Sequence, residues 1–308
     1  MVRFVDKQWL RLAALLLTGV VAVGFVWKNW GTFMQGVQIM RELPATFFWL
    51  AIPLVLLTFI LAACAYFFLA LQPVKLRELI FIELAAAFAT RLVPSGIGGI
   101  GVHGLFLRRR KHSLAELTAV VSTNNALGIV VHIALLVLAL TMGSAERIQL
   151  QWHVSYGLGL LGFVVLLVAL SVVRPIRGRL QSFGRNFLAS LQKYTRHPHK
   201  LLYAALALVA LTLVNLLTLY VAAYSFGVSF DIPSLFLVYT AGVFVGAAVP
   251  TPGGLAGVET GLAAGFVACG VAGATAVAIA LAFRLVVYWL PIVPGAAVLY
   301  IARKRGML

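Results

Sequence analysis

Four ionisable residues, Glu83, Arg91, Glu259 and Arg284, stand inside stretches that are otherwise apolar. A lone charge in the middle of a membrane-spanning helix costs about 2.5–3.5 kcal/mol on insertion scales, so each of them needs a partner or water. The chemistry open to them is electrostatic. Arginine stays charged and can grip a phosphate or carboxylate through two parallel hydrogen bonds. A glutamate at membrane depth can take up a proton or a cation. Arg91 and Arg284 are therefore candidates for holding an anionic group, with Glu259 and Glu83 as coupling or gating residues. The plainer alternative is a pair of structural ion pairs, Glu83 with Arg91 and Glu259 with Arg284.

Two of these residues adjoin breaks in the apolar pattern. Arg91 precedes Val93-Pro94-Ser95-Gly96-Ile97-Gly98-Gly99, and Val249-Pro250-Thr251-Pro252-Gly253-Gly254-Leu255-Ala256-Gly257-Val258 leads into Glu259. Proline and paired glycine interrupt a helix, and non-helical backbone at membrane depth must be buried in protein or line a wet cavity. Pro94, Pro250 and Pro252 are thus expected as hinges, and Gly98, Gly99, Gly253 and Gly254 as points where backbone approaches a ligand. Helix starts after each break would add N–H donors and a positive dipole end. His103 follows the first break; its titration range suits a proton relay, and a packing role suits it as well. On a later span Asn125, Gly128 and His132 share one helical face, beside Asn124. Thr212 and Asn215 are expected to hydrogen-bond between helices.

The glycines at 96, 98, 99 and 101 resemble a phosphate loop, but no strand precedes them and no Gly-Lys-Ser/Thr follows. No Ser/His/Asp set, His-Glu-x-x-His or metal-ligand spacing occurs, so the expectation is no enzyme, no cofactor and no metal. Cys64 and Cys269 lie in apolar surroundings and read as packing residues.

The elements that must position these residues follow from composition. The 308 residues are 62% hydrophobic and 10% charged, with a mean hydropathy of +1.03. Continuous apolar runs mark an all-α polytopic membrane protein. Spans are expected at 9–28, 45–71, 114–140, 153–173, 201–226 and 274–300, with a mixed interfacial segment at 29–44. The arms around each break are too short to cross, so re-entrant hairpins are expected at about 79–107 and 235–269. Placing Pro94 on Pro250 brings the spans of one half onto those of the other, which makes 1–152 and 153–308 repeats of three spanning helices and one hairpin. Three crossings is an odd number, so the halves would be inverted. With both termini inside, the outer side holds only Lys28, at the outer end of the first span, Arg41 and Arg147, as the positive-inside rule requires. The net charge of +16 is then a cytoplasmic-leaflet signal and not a nucleic-acid footprint.

The motif Pro250-Thr251-Pro252-Gly253-Gly254…Glu259, with Arg91, Pro94 and Gly98-Gly99 upstream and Arg284 in the last span, resembles the flippase-domain (transmembrane) family of lysylphosphatidylglycerol synthase. The resemblance extends over essentially the whole chain. It departs after the first Gly-Gly, where Ile100 and His103 replace an acidic residue and an arginine. It implies re-entrant hairpins in inverted repeats, membrane lipids as partners, and Arg91, Pro250, Gly253, Gly254, Glu259 and Arg284 as functional residues. The synthase's aminoacyl-transferase part has no counterpart here, so lysyl transfer is not expected. The resulting expectation is a flippase-like translocase of the prokaryotic cytoplasmic membrane. It would carry the head group of an anionic phospholipid or polyprenyl-phosphate-type lipid between leaflets. The alternative is a proton- or sodium-coupled transporter of a small solute.

Overall fold

The computed structural model describes residues 30–93, 97–142, 191–195, 197–248, 251 and 253–308. The expected spans at 9–28 and 153–173 and the hinge residues Pro94, Pro250 and Pro252 lie outside the described residues. Within them the chain is helical throughout: α1 (Trp30–Met40), α2 (Ala45–Leu69), α3 (Leu76–Leu92), α4 (Ile97–Arg109), α5 (Leu114–Met142), α6 (Pro198–Tyr224), α7 (Ile232–Ala248), α8 (Gly257–Ala268), α9 (Gly273–Arg284), a π turn (Leu285–Trp289) and α10 (Ile292–Lys304).

Four stretches are long and apolar enough to cross a membrane: Ala45–Leu69, Leu114–Met142, Pro198–Tyr224 and Gly273–Lys304. They coincide with four of the expected spans. Their outer faces expose Leu50, Ile129, Val130, Ile133, Leu206 and Leu213, as a lipid-facing surface would. Local sequence sets their starts. Ser113 and Glu116 form a reciprocal capping box at the head of α5, with N–H to side-chain distances of 2.7 and 3.2 Å. Pro198 opens α6, where its missing N–H costs nothing.

Between the spanning stretches lie two pairs of short helices. α3 and α4 have 17 and 13 residues, and α7 and α8 have 17 and 12. At about 1.5 Å per residue each falls short of a hydrocarbon layer about 30 Å thick. Both pairs run antiparallel. A Cβ on Gly98 would meet the Ala89 carbonyl and one on Gly99 the Thr90 hydroxyl. In the second pair Gly265 faces Val238, Gly261 faces Ala241 and Gly242, and Gly246 faces Val258. Small residues let the two backbones close to a separation that larger side chains would prevent.

The last span departs from expectation, since it is two helices joined by a π turn. Leu290 N–H bonds the Leu285 carbonyl at 2.8 Å. Pro291 follows directly and has no N–H to return to Val287 four residues earlier, so the Val287 carbonyl is left free of the helix ladder. The segment expected as interfacial contains α1, which packs on α9 so closely that a Cβ on Gly36 would strike Val277.

At one end of the bundle the chain is tied by side chains to backbone. The Tyr194 hydroxyl donates to the Leu69 carbonyl at 2.8 Å and Lys200 Nζ to the Ala70 carbonyl at 2.9 Å, closing the C-terminus of α2. Nε2 of buried His112 accepts from the N–H groups of Leu71 and Gln72, while its Nδ1–H donates to the Leu107 carbonyl.

Candidate functional site

Arg284 is the last residue of α9 and is buried. Its Nε donates to Glu259 Oε1 at 2.7 Å and its Nη2 to the Gly253 carbonyl at 3.1 Å. Glu259 lies in the first turn of α8, where the helix dipole favours a carboxylate. The approach to that turn is tight: Gly253, Gly254 and Ala256 have φ of +59°, +67° and +65°. Glycine accepts this backbone at little cost. A Cβ on Gly253 would also strike the ring of Tyr288.

Tyr288 is the meeting point of the two arginines. The Arg284 guanidinium carbon lies 4.1 Å from its ring centroid and that of Arg91, arriving from the C-terminus of α3, lies 5.0 Å from it. Arg91 Nη2 also donates to the Val287 carbonyl at 2.7 Å, the group that Pro291 leaves without a ladder donor. Two cations thus share one aromatic ring, and among the described residues the carboxylate of Glu259 is paired with Arg284 alone. Arg91 Nε and Glu259 Oε2 are buried with no hydrogen-bond partner among the described residues. A buried donor and acceptor left unused cost free energy, and a ligand carrying anionic oxygens and a hydroxyl would satisfy both.

Glu83 and Arg91 do not pair. Glu83 Oε1 lies 2.9 Å from His103 Nε2, because His103 stands opposite Glu83 in the antiparallel register of α3 and α4, whereas Arg91 is two turns nearer the break. His103 Nδ1 is 2.9 Å from the Gly99 carbonyl. A carbonyl only accepts, so Nδ1 carries a hydrogen, and a further proton must lie between Nε2 and Oε1. The couple therefore holds a proton whichever atom owns it. Tyr66 stacks on the imidazole, with centroids 4.0 Å apart and planes 12° from parallel. These groups line a cavity of about 320 Å³, together with Thr90, Asn124, Asn125 and Asn215.

The structure separates the expected residues into groups. Arg91, Arg284, Glu259 and Gly253 converge on Tyr288. Glu83, His103, Gly99 and Asn125 share the cavity. Gly98 and Gly254 are occupied by packing: a Cβ on Gly98 would meet Ala89, and one on Gly254 would press on Val258 and Gly246. His132 belongs to neither group; its Nε2 is 3.2 Å from the Thr240 hydroxyl and its ring lies near Phe236 and Tyr239 on α7. Thr212 and Asn215 bond back to the Leu208 and Leu211 carbonyls of their own helix, not to a neighbouring one.

Sequence reasoning did not single out Tyr66, nor Tyr288 as the hub. For Tyr288 a signal existed: it stands four residues after Arg284 and three before Pro291. Among the described residues, no group of three or more His, Cys, Asp or Glu could hold a metal ion.

No curated protein matches the chain. Residues 8–295 match the family described as the lysylphosphatidylglycerol synthase TM region. The match spans nearly the whole chain and covers both pairs of short helices and the charged residues they carry, so this all-helical multi-pass membrane protein belongs to the family of the lysylphosphatidylglycerol synthase TM region.

Proposed function

We propose that the chain is a flippase-like lipid translocase of the prokaryotic cytoplasmic membrane, and that α3–α4 and α7–α8 are re-entrant hairpins in two inverted repeats, 1–152 and 153–308. The convergence of Arg91 and Arg284 over Tyr288, beside a carboxylate with one unused oxygen, carries the reading. In the resting state Glu259 occupies Arg284. A lipid phosphate entering between the hairpins would compete with Glu259 for that guanidinium and take Arg91 Nε as a second donor, while its chains stay in the bilayer. Protonation of Glu259 would release Arg284 to the phosphate, and return of the carboxylate would expel it. This is an exchange of partners at a fixed cation, which needs no covalent step. The Glu83–His103 couple offers a separate place to load the proton that such a cycle would consume.

Reconstitution in liposomes tests this. Fluorescent anionic phospholipid placed in one leaflet should become accessible in the other, and Arg91→Ala, Arg284→Ala and Glu259→Gln should each abolish that transfer. Wild-type transfer by all three variants would sink the site. Ion-driven uptake of a soluble solute without lipid transfer would instead establish the coupled-transporter alternative.

A further inference from the structure

At the other end of α3 from Arg91, about 25 Å away at 1.5 Å per residue, lies a cavity of about 430 Å³ that the proposed translocation does not use. Its polar side carries Lys75, Arg77, Arg110, Arg305 and a single carboxylate, Glu78. Glu78 Oε1 is committed to Arg110 Nη2 at 2.7 Å. The side chains of Lys75, Arg77 and Arg305 are exposed and make no ion pair among the described residues. Arg110 Nε and Glu78 Oε2 are buried there without a hydrogen-bond partner among the described residues.

The rest of the lining is largely apolar. Phe81, Val298 and Ile301 belong to it, and Phe81 and Ile301 are exposed. Three uncommitted cations in a cavity with apolar lining on the flank of a membrane helix suit a ligand that is anionic at one end and hydrocarbon at the other. A soluble phosphate would leave that lining bare, and a zwitterionic head group would bring a cation of its own against three others.

We infer that this cavity is a resident site for a phospholipid with a net-negative phosphodiester head group, drawn from the adjacent leaflet. Its phosphate is held by Lys75, Arg77 and Arg305, and an acyl chain lies over Phe81 and Ile301. Because Lys75 caps the start of α3 and Phe81 lies within it, while Ile301 lies in α10 and Arg305 caps its end, the bound lipid clamps the C-terminal helix to the first hairpin. The site goes beyond the translocation reading and does not depend on it.

Native mass spectrometry and thermal unfolding of the full chain test this. The probes are vesicles of phosphatidylglycerol, vesicles of phosphatidylcholine, and inorganic phosphate. The wild type should retain phosphatidylglycerol in preference to phosphatidylcholine and should melt higher with it, with no shift from inorganic phosphate. In Lys75→Ala/Arg305→Ala retention should fall about fivefold for each charge removed, and the melting shift should vanish. Arg303→Ala/Lys304→Ala removes two exposed cations that do not line the cavity and should leave both readouts intact. An equal effect of inorganic phosphate, equal retention of phosphatidylcholine, or equal loss in the control would each overturn the proposal. Arg91→Ala should keep the retained lipid even where it stops translocation, which separates failure of one site from failure of the other.

Discussion

Arg284 and Glu259 are a pair in which the arginine has further attachments, to the Gly253 carbonyl and the Tyr288 ring, while the carboxylate keeps one oxygen unused, so their separate and joint removal should differ. Deleting one member of a buried pair strands the other, at a cost of about 3–5 kcal/mol. Arg284→Ala should therefore lower stability in detergent by that order. Arg284→Met combined with Glu259→Gln, which strands no charge, should melt near wild type yet translocate nothing. Recovery of activity by the double variant would make the pair merely structural. Gly253→Ala should cost about 1–2 kcal/mol from the left-handed backbone alone. It should also displace Tyr288, seen as lost transfer out of proportion to lost stability. The four charges were legible in the sequence because a charge in an apolar run has no inexpensive explanation. Their partners were legible only in part. The alternative pairing of Glu259 with Arg284 is present. Glu83, for which Arg91 on the same arm was the alternative partner, meets His103 across the hairpin, since pairing across two antiparallel helices depends on a register that proline and glycine spacing do not fix.

The two hairpins are held by glycines placed where one backbone meets the other, and this register can be measured. A Cβ on Gly265 would stand 3.4 Å from that of Val238, near the separation of about 3.5–4.5 Å spanned by disulfides. With Cys64 and Cys269 replaced by alanine, Val238→Cys/Gly265→Cys should cross-link on oxidation, and Val238→Cys/Val258→Cys should not. At the opposite end of the bundle the junction of α2, α4 and α5 depends on a neutral His112. Burial pushes this imidazole below its ordinary value of 6.5, and its Nε2 must stay unprotonated to accept the two backbone N–H groups. The unfolded chain binds the proton more readily, so the contribution is complete above pH 6.5 and is lost as pH falls through the lower folded-state value. The melting temperature should drop on acidification below pH 6.5, and His112→Gln should flatten that dependence. Short helices around Pro/Gly breaks could be read directly from arm length. The division of the last span could not, because its apolar run continues unbroken and only the missing N–H of Pro291 marks the fault.

Across the whole molecule, the distribution of Lys and Arg implies both termini on the cytoplasmic side. Single cysteines at Arg108 and Arg303, both exposed, should react with an impermeant maleimide only in inside-out vesicles. Labelling of either in intact cells would reverse the topology and with it the inverted repeats. Composition made the membrane class and the spans plain, since hydrocarbon thickness dictates length. It was silent on which half meets which, because apolar faces in lipid carry no directional preference for one neighbour. The widened turn at Leu285–Trp289 has one more consequence. It stores a surplus residue between Arg284 and α10, and a surplus residue can migrate. Were it to pass from the Tyr288 side toward α9, the intervening segment would rotate by about 100°, one residue's worth of helical twist. The aromatic ring would swing away from both guanidiniums while either flank stayed seated, so the arginines could be uncovered and covered again by a local corkscrew step rather than by rocking the entire bundle.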